Sequence, residues 1–406
     1  MSPIFSLHYA KEVDTTRTLK RIFALLILLA VMAVGLFYPP GESWLLDELR
    51  TGKDVDVYQK LHTGLMEQAE RIYVRRYDLT ADTFNDAWND VLCGNPETFF
   101  VGDTYEYTTM GDHVLYVTPK YDLTGTELMK ANADYKIAMQ NILDTVEEDW
   151  SDLETALYLH DWLVTHCAYD ESLEYYDAYT MLTQNTGVCQ AYTLTYLALL
   201  EECGIPCRYV LSRDMEHSWN VIQIDGAWYN VDLTYDDPTF DRLGKANHRY
   251  FLVSDMKLSA DHHGGDAPIP CDSTAYDEAV WTGISTGFVP VDGVFYCIAG
   301  NTLCRWDDTG LTEIYTIPDV WYVTDDPYSY WEGCHASLDV WGDALIFNTP
   351  KEVKAYYPAA DAFSTIYTYD GPESIYGVIY NGDGTITCQL ADNPNVPGEL
   401  RQVHIT

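Results

Sequence analysis

Gly187-Val188-Cys189-Gln190-Ala191-Tyr192 opens a run in which Leu194, Leu197, Ala198 and Leu200 recur at helical spacing, and Gly204 stands where a left-handed residue would end a helix. That puts Cys189 at a helix N-terminus. There the partial positive charge of the unpaired backbone N–H groups favours the thiolate, the nucleophilic form of cysteine. Arg208-Tyr209-Val210-Leu211 then reads as a strand, His217-Ser218-Trp219-Asn220-Val221 begins a second, and Trp228-Tyr229-Asn230-Val231-Asp232 makes a third. Asp225-Gly226 supplies the hairpin turn between the last two. Across so short a turn, His217 and Asp232 can face each other at neighbouring positions of paired strands.

Each of these residues has a plain structural reading. An isolated cysteine is usually a small core residue, a strand histidine usually packs, and Asp232 could cap the turn into Asp236-Asp237-Pro238. Together they have the chemistry and the chain order of a nucleophile, a base and an orienting carboxylate.

Working outward, the stretches GVCQAYTLTYLALLEECGIPCRYV, HSWNVIQIDGAWYNVDLTYDDP and YFLVSD, between Asp152 and Asp261, resemble the transglutaminase-like superfamily in its bacterial extracellular branch. The resemblance covers about a quarter of the chain. It implies an α+β, papain-like core with a helix-borne cysteine against an antiparallel sheet. It also carries the family's nucleophile onto Cys189, its base onto His217, its carboxylate onto Asp232, and packing positions onto Trp219 and Trp228. The family stabilises the oxyanion with the nucleophile's backbone N–H and a second donor, for which Tyr179 and Gln184 are the candidates here.

Before this block, Ser151-Asp152-Leu153-Glu154 has the capping-box pattern, and Leu153, Ala156, Leu157, Trp162 and Leu163 follow at core spacing to a helix end near His166 and Cys167. His160 and His166 on that helix read as core-edge or surface residues. The lead-in, 41–150, reads as α+β: helices over Val55–Arg71, Thr80–Cys93 and Thr126–Val146, with a strand pair between Phe99 and Val117 turning at Met110-Gly111-Asp112.

Ahead of it, residues 22–38, IFALLILLAVMAVGLFY, form an unbroken uncharged run closed by Pro39 and Pro40, just long enough for a bilayer. Lys11, Arg17, Lys20 and Arg21 precede it, which leaves residues 1–21 in the cytoplasm and the body outside. The alternative is a signal peptide cleaved near Val31-Met32-Ala33, which exports the same body.

After the block assigned to 151–265, the chain from 274 to 406 changes character. Short alternating runs at Gly293–Cys297, Asn301–Trp306, Asp339–Phe347 and Tyr376–Tyr380 are parted by Gly and Asn turns, as in propeller-type hairpins or a plain β-sandwich. Trp306, Trp321, Tyr322, Tyr328, Tyr330, Trp331 and Trp341 suggest a core that in part surfaces as an aromatic platform.

Composition narrows the function classes. The 406 residues include 63 acidic and 23 basic side chains, a net charge of −40, which excludes most nucleic-acid roles. Ten scattered cysteines without paired CxxC motifs argue against a multi-zinc module, and Cys203 and Cys207 read as a helix end and a strand start. Asp261-His262-His263-Gly264 has metal-ligand types but no second ligand cluster, and reads as a solvated loop. The expectation is therefore a cofactor-free, extracytoplasmic thiol enzyme acting on peptide or side-chain amides of a protein or peptide substrate at the cell envelope, as cysteine peptidase, deamidase or transglutaminase. The alternative is a non-catalytic envelope scaffold on the same fold.

Overall fold

The computed structural model of the chain describes residues 55–238, 242–267, 269–307, 309–321 and 333–405. The apolar run at 22–38 lies outside them, and among the described residues no helix is long and apolar enough to cross a membrane. The chain divides into two compact units, one drawing on residues up to 84 and on 106–118, the other on 85–105 and everything from 119 onward.

In the first unit, helix α1 (Val57–Met66) starts where the Asp56 carboxylate accepts the Gln59 N–H at 2.8 Å. It stops short of the expected Arg71 because the chain turns through Gln68 at φ 50°. Strand β1 (Ile72–Tyr73) pairs with Val117 and Tyr116. The residues of α2 (Ala81–Gly94), β2 (Val101–Met110) and β3 (His113–Tyr121) are shared out between the two units, and the hairpin turns at Gly111, φ 67°.

The second unit begins with α3 (Gly125–Leu143) and α4 (Asp152–His166). The α4 capping box is formed in full: the Ser151 N–H donates to Glu154 at 2.8 Å and the Glu154 N–H donates to Ser151 Oγ at 3.3 Å. Ala156, Leu157 and Leu163 are buried from this helix, while Leu153 and Trp162 are only partly covered. The short parallel pair β4 (Ala168–Tyr169) and β5 (Thr186–Gly187) brackets α5 (Ala178–Gln184). Then comes α6 (Cys189–Glu202), whose residues from Ala191 to Leu200 are all buried. A helix apolar on every side must be enclosed on every side. Here α4 and α5 pack against it, and so does the antiparallel sheet β6 (Cys207–Ser212), β7 (His217–Ile224), β8 (Ala227–Val231).

After β8 come two four-residue helices, α7 (Leu233–Asp236) and α8 (Asp255–Leu258). The chain then returns along the sheet: Asn230 and Val253 exchange backbone hydrogen bonds at 2.9 and 3.0 Å, and Ser212 bridges Gly265.

Among the described residues the β-rich remainder forms three antiparallel meanders, not a two-sheet sandwich: β9–β12 (Val289–Val291, Val294–Ala299, Thr302–Asp307, Gly310–Thr316), β13–β16 (Leu338–Trp341, Ala344–Asn348, Glu352–Tyr357, Ala362–Thr368) and β17–β19 (Ser374–Tyr380, Thr385–Ala391, Glu399–His404). Phe288, Phe295, Cys297 and Cys304 from the first of these share one core cluster with Leu157, Tyr196 and Phe251. The aromatic platform does not take shape among the described residues. Trp321 is buried with its indole N–H on the Ile375 carbonyl at 2.6 Å, and Trp306 packs edge-on to Trp281, Phe288 and Phe295. Tyr322, Tyr328, Tyr330 and Trp331 lie outside the described residues.

Candidate active site

Cys189 is the first residue of α6, and Val188 before it provides no side-chain cap, so the helix presents free N–H groups beside the thiol. The entry needs a glycine: a Cβ on Gly187 would fall 2.5 Å from Ala191 Cβ. The turn is tied to the sheet through Thr193, whose hydroxyl donates to the Cys189 carbonyl at 2.8 Å and lies 3.2 Å from the Ser218 hydroxyl. Burial alone would raise the thiol. The hydrogen bond and charge of His217, with the Ser218 N–H and hydroxyl, outweigh it and bring Cys189 below its ordinary value.

His217 opens β7 and is buried. Its Nε2 lies 2.6 Å from Asp232 Oδ2, which leaves Nδ1 for the hydrogen bond the ring makes with Cys189. Burial pushes the imidazole down, but Asp232 and Cys189 together lift it to about 10. Asp232 is fully buried, and the His217 and His262 hydrogen bonds overcome its desolvation and hold it below the usual carboxylate range. The hairpin does not align His217 and Asp232 on its ladder, which ends at Asn220 and Val231. Asp232 instead follows β8 and caps α7 with Oδ1 on the Tyr235 N–H at 3.1 Å, which leaves Oδ2 for His217.

Asp261, His263 and Gly264 are exposed, as the reading of a solvated loop expects, and that reading is corrected at His262. His262 is 4 % exposed, and its Nε2 lies 2.8 Å from Asp232 Oδ2, the oxygen that also meets His217. Its Nδ1 lies 2.9 Å from Asp261 Oδ1. Asp261 also accepts from the Tyr250 hydroxyl at 2.6 Å and from Arg249 at 3.1 Å, and these partners, with His262, hold it low against its own desolvation. The His262 ring therefore sits between two carboxylates, each within hydrogen-bond distance of one of its nitrogens. Nothing near His262 in the sequence announces this. The signal is tertiary, the return of the chain past β8.

Aromatic rings frame the pair. Trp219 stacks 6.0 Å from His217, meets His262 edge-on at 5.3 Å and donates to Asn230 Oδ1 at 3.0 Å. Trp228 packs on the apolar cluster that contains Trp219. Tyr235, exposed at the site's mouth, lies 4.8 Å from His217 and 4.6 Å from His262.

Both oxyanion candidates, Tyr179 and Gln184, belong to α5. Tyr179 stacks on Phe99 at 4.8 Å, and Gln184 is exposed at the end of α5. The exposed phenols of Tyr169 and Tyr235 do feel the Cys189 charge, which adds to burial in raising both.

A second polar cluster lies behind the site. His160, expected at a core edge, is fully buried, with Nδ1 2.8 Å from Asp161 and Nε2 3.3 Å from Asp236. His248 Nε2 lies 2.8 Å from the same Asp161 oxygen, and Asp161 Oδ2 accepts the Phe288 N–H at 2.6 Å. Although burial opposes it, the two carboxylates lift His160 to about 9. His166, by contrast, is half-buried and stacks on Trp162. His217–Asp232–His262 and His160–Asp161–His248 both have metal-ligand composition. In each, the nitrogens lie at direct hydrogen-bond distance from a shared carboxylate oxygen. All ten cysteines are free thiols.

Residues 140–233 match the family model described as the transglutaminase-like superfamily. The chain carries a transglutaminase-like domain. Kyphoscoliosis peptidase from Mus musculus is 24 % identical over 147 residues, 30 % of this chain and 22 % of that protein. The chain thus spans about a fifth of the length of the curated relatives it matches. Among solved structures, a transglutaminase (TGase) crystal structure aligns over 40 % of this chain and 50 % of its own at 11 % identity and a TM-score of 0.23. A candidate cysteine protease from Cytophaga hutchinsonii aligns over 32 % and 61 % at 15 % identity and a TM-score of 0.21. The transglutaminase-like match takes in Cys189, His217 and Asp232 and ends one residue beyond Asp232, before the segment that supplies His262.

Proposed function

We propose that the transglutaminase-like domain is a thiol acyl-transfer enzyme acting on peptide or side-chain amides. The observation that carries this is the placement of Asp232 against His217 Nε2 at 2.6 Å, with the other side of the ring given to Cys189. Cys189 Sγ attacks the amide carbonyl as thiolate. His217 Nδ1 keeps the thiol proton and passes it to the departing amine. Asp232 orients the imidazolium and stabilises its charge, and His262 holds Asp232 from behind. The Cys189 backbone N–H at the start of α6 supports the developing oxyanion. Water then attacks the thioester, with His217 now taking the proton of the attacking water, and the acid product leaves.

Hydrolysis is favoured over transamidation because the curated relatives are named as peptidases. The apolar run at 22–38, with basic residues before it, supports an envelope location with the domain outside the cytoplasm. The test is acyl-enzyme trapping with a peptide thioester or activated ester: wild type gains the acyl mass on Cys189 and Cys189→Ala gains none. Undiminished turnover by Cys189→Ala removes the proposal.

A further inference from the structure

On a chain of net charge −40, a cavity of about 330 Å³ is lined by Arg242, Lys245, Asn247, Ser285, His335 and Tyr376, with no carboxylate among its described lining residues. The Lys245 ammonium has one weak hydrogen bond, to Ser285 Oγ at 3.4 Å, and no ion-pair partner among the described residues. Arg242 is fixed as a wall: it donates to the carbonyls of Pro394 and Val396 at 2.7 and 2.6 Å and lies 5.8 Å from the Tyr376 ring centre. Tyr376 is 1 % exposed, and its hydroxyl has no hydrogen-bond partner among the described residues. A buried phenol left unpaired costs stability, and here it stands beside cations. The nearest acidic influences are Asp392 on Tyr376 and Asp319 on Cys334, and neither aspartate lines the cavity.

We propose that this cavity binds an oxyanion group, a phosphate or a carboxylate, through the Lys245 ammonium and the Tyr376 hydroxyl, with Arg242 and Asn247 completing its polar wall. The state of the empty pocket agrees. Burial pushes Lys245 down to about 8, and burial with the charges of Lys245 and Arg242 pushes His335 down to about 4. The His335 displacement marks positive potential and the Lys245 displacement marks lost hydration, and an anion would relieve both. A chain so acidic repels anions in general, so saturable binding reports a built site and not diffuse attraction.

The test is calorimetric titration of the full chain, in chloride buffer, with inorganic phosphate and separately with citrate. Saturable binding of at least one is expected, and which one binds separates phosphate from carboxylate recognition. Lys245→Met and Tyr376→Phe should each weaken it about tenfold, the loss of one hydrogen bond to a charged group. Tyr376→Phe should unfold no earlier than wild type, since it removes an unpaired hydroxyl, so it decides the matter even if Lys245→Met folds poorly. Absence of saturable binding to both anions, or unweakened binding in Tyr376→Phe, overturns the proposal.

Discussion

At the scale of residues, the account turns on one carboxylate oxygen that meets two histidines. Asp232 Oδ2 lies 2.6 Å from His217 and 2.8 Å from His262. Asp232 lifts His217 to about 10, so the imidazolium persists until the pH rises through that value, and turnover should fall there as the general acid is lost. Its contribution to stability has the same sign: fully present below the ordinary histidine pKa of about 6.5, lost as the pH passes about 10. Asp232→Asn should move the alkaline limb of the pH–rate profile downward, and an unchanged profile would leave Asp232 as only the cap of α7. His262→Gln removes the ring behind Asp232, and looser orientation of Asp232 should lower kcat about 10- to 100-fold with little change in KM, the cost of a charged hydrogen bond. An unchanged kcat would contradict this assignment.

At the scale of elements, the helix start at Cys189 and the β7–β8 hairpin were legible because each rests on local signals: Gly187 and Gly204, apolar spacing along α6, and Asp225-Gly226 at the turn. His262 was not, since its neighbours in sequence are polar and its burial depends on the backbone exchange of Asn230 with Val253 and the bridge of Ser212 with Gly265. His160 escaped for a related reason: its partners Asp236 and His248 are distant in sequence. Two predictions belong here. A Cβ on Gly265 would sit 2.6 Å from the Trp219 ring, so Gly265→Ala should displace Trp219 from His217 and His262 and cut turnover more than it lowers Tm, as activity assays beside thermal melts would show. His160→Phe takes the imidazole away from Asp161 and Asp236, leaving Asp161 to His248 and the Phe288 N–H and Asp236 to the Tyr250 N–H, and should cost about 3–5 kcal/mol in denaturant unfolding. A cost under about 1 kcal/mol would mean that His248 suffices.

At the scale of the whole molecule, the transglutaminase-like domain does not close its core alone. Trp281, Ile284, Phe288 and Phe295 lie beyond residue 274 yet belong to the cluster that contains Leu157, Tyr196 and Phe251. Burying each such side chain contributes about 1.5–3 kcal/mol, and together they rival the whole stability of a domain, about 5–15 kcal/mol. A chain ending at Ala267 should therefore lose cooperative unfolding, and a sharp melt with intact near-ultraviolet dichroism would show that 151–265 folds independently. The shift to β-structure near 274 was visible in the alternating runs, but alternation does not tell which strand faces close a neighbour's core.

The central claim is that Cys189 is an activated nucleophile, and the rate of its alkylation by iodoacetamide as a function of pH tests this most directly. Burial raises Cys93, Cys207, Cys271, Cys297 and Cys388, and Cys189 is lowered by His217 and Ser218 against its own burial. Peptide mapping should find Cys189 alkylated first, with a midpoint well below the free-thiol value of about 8.5, and His217→Ala should return that midpoint to 8.5 or above. Alkylation of Cys189 that follows an ordinary thiol titration in wild type, unaffected by His217→Ala, would contradict the account.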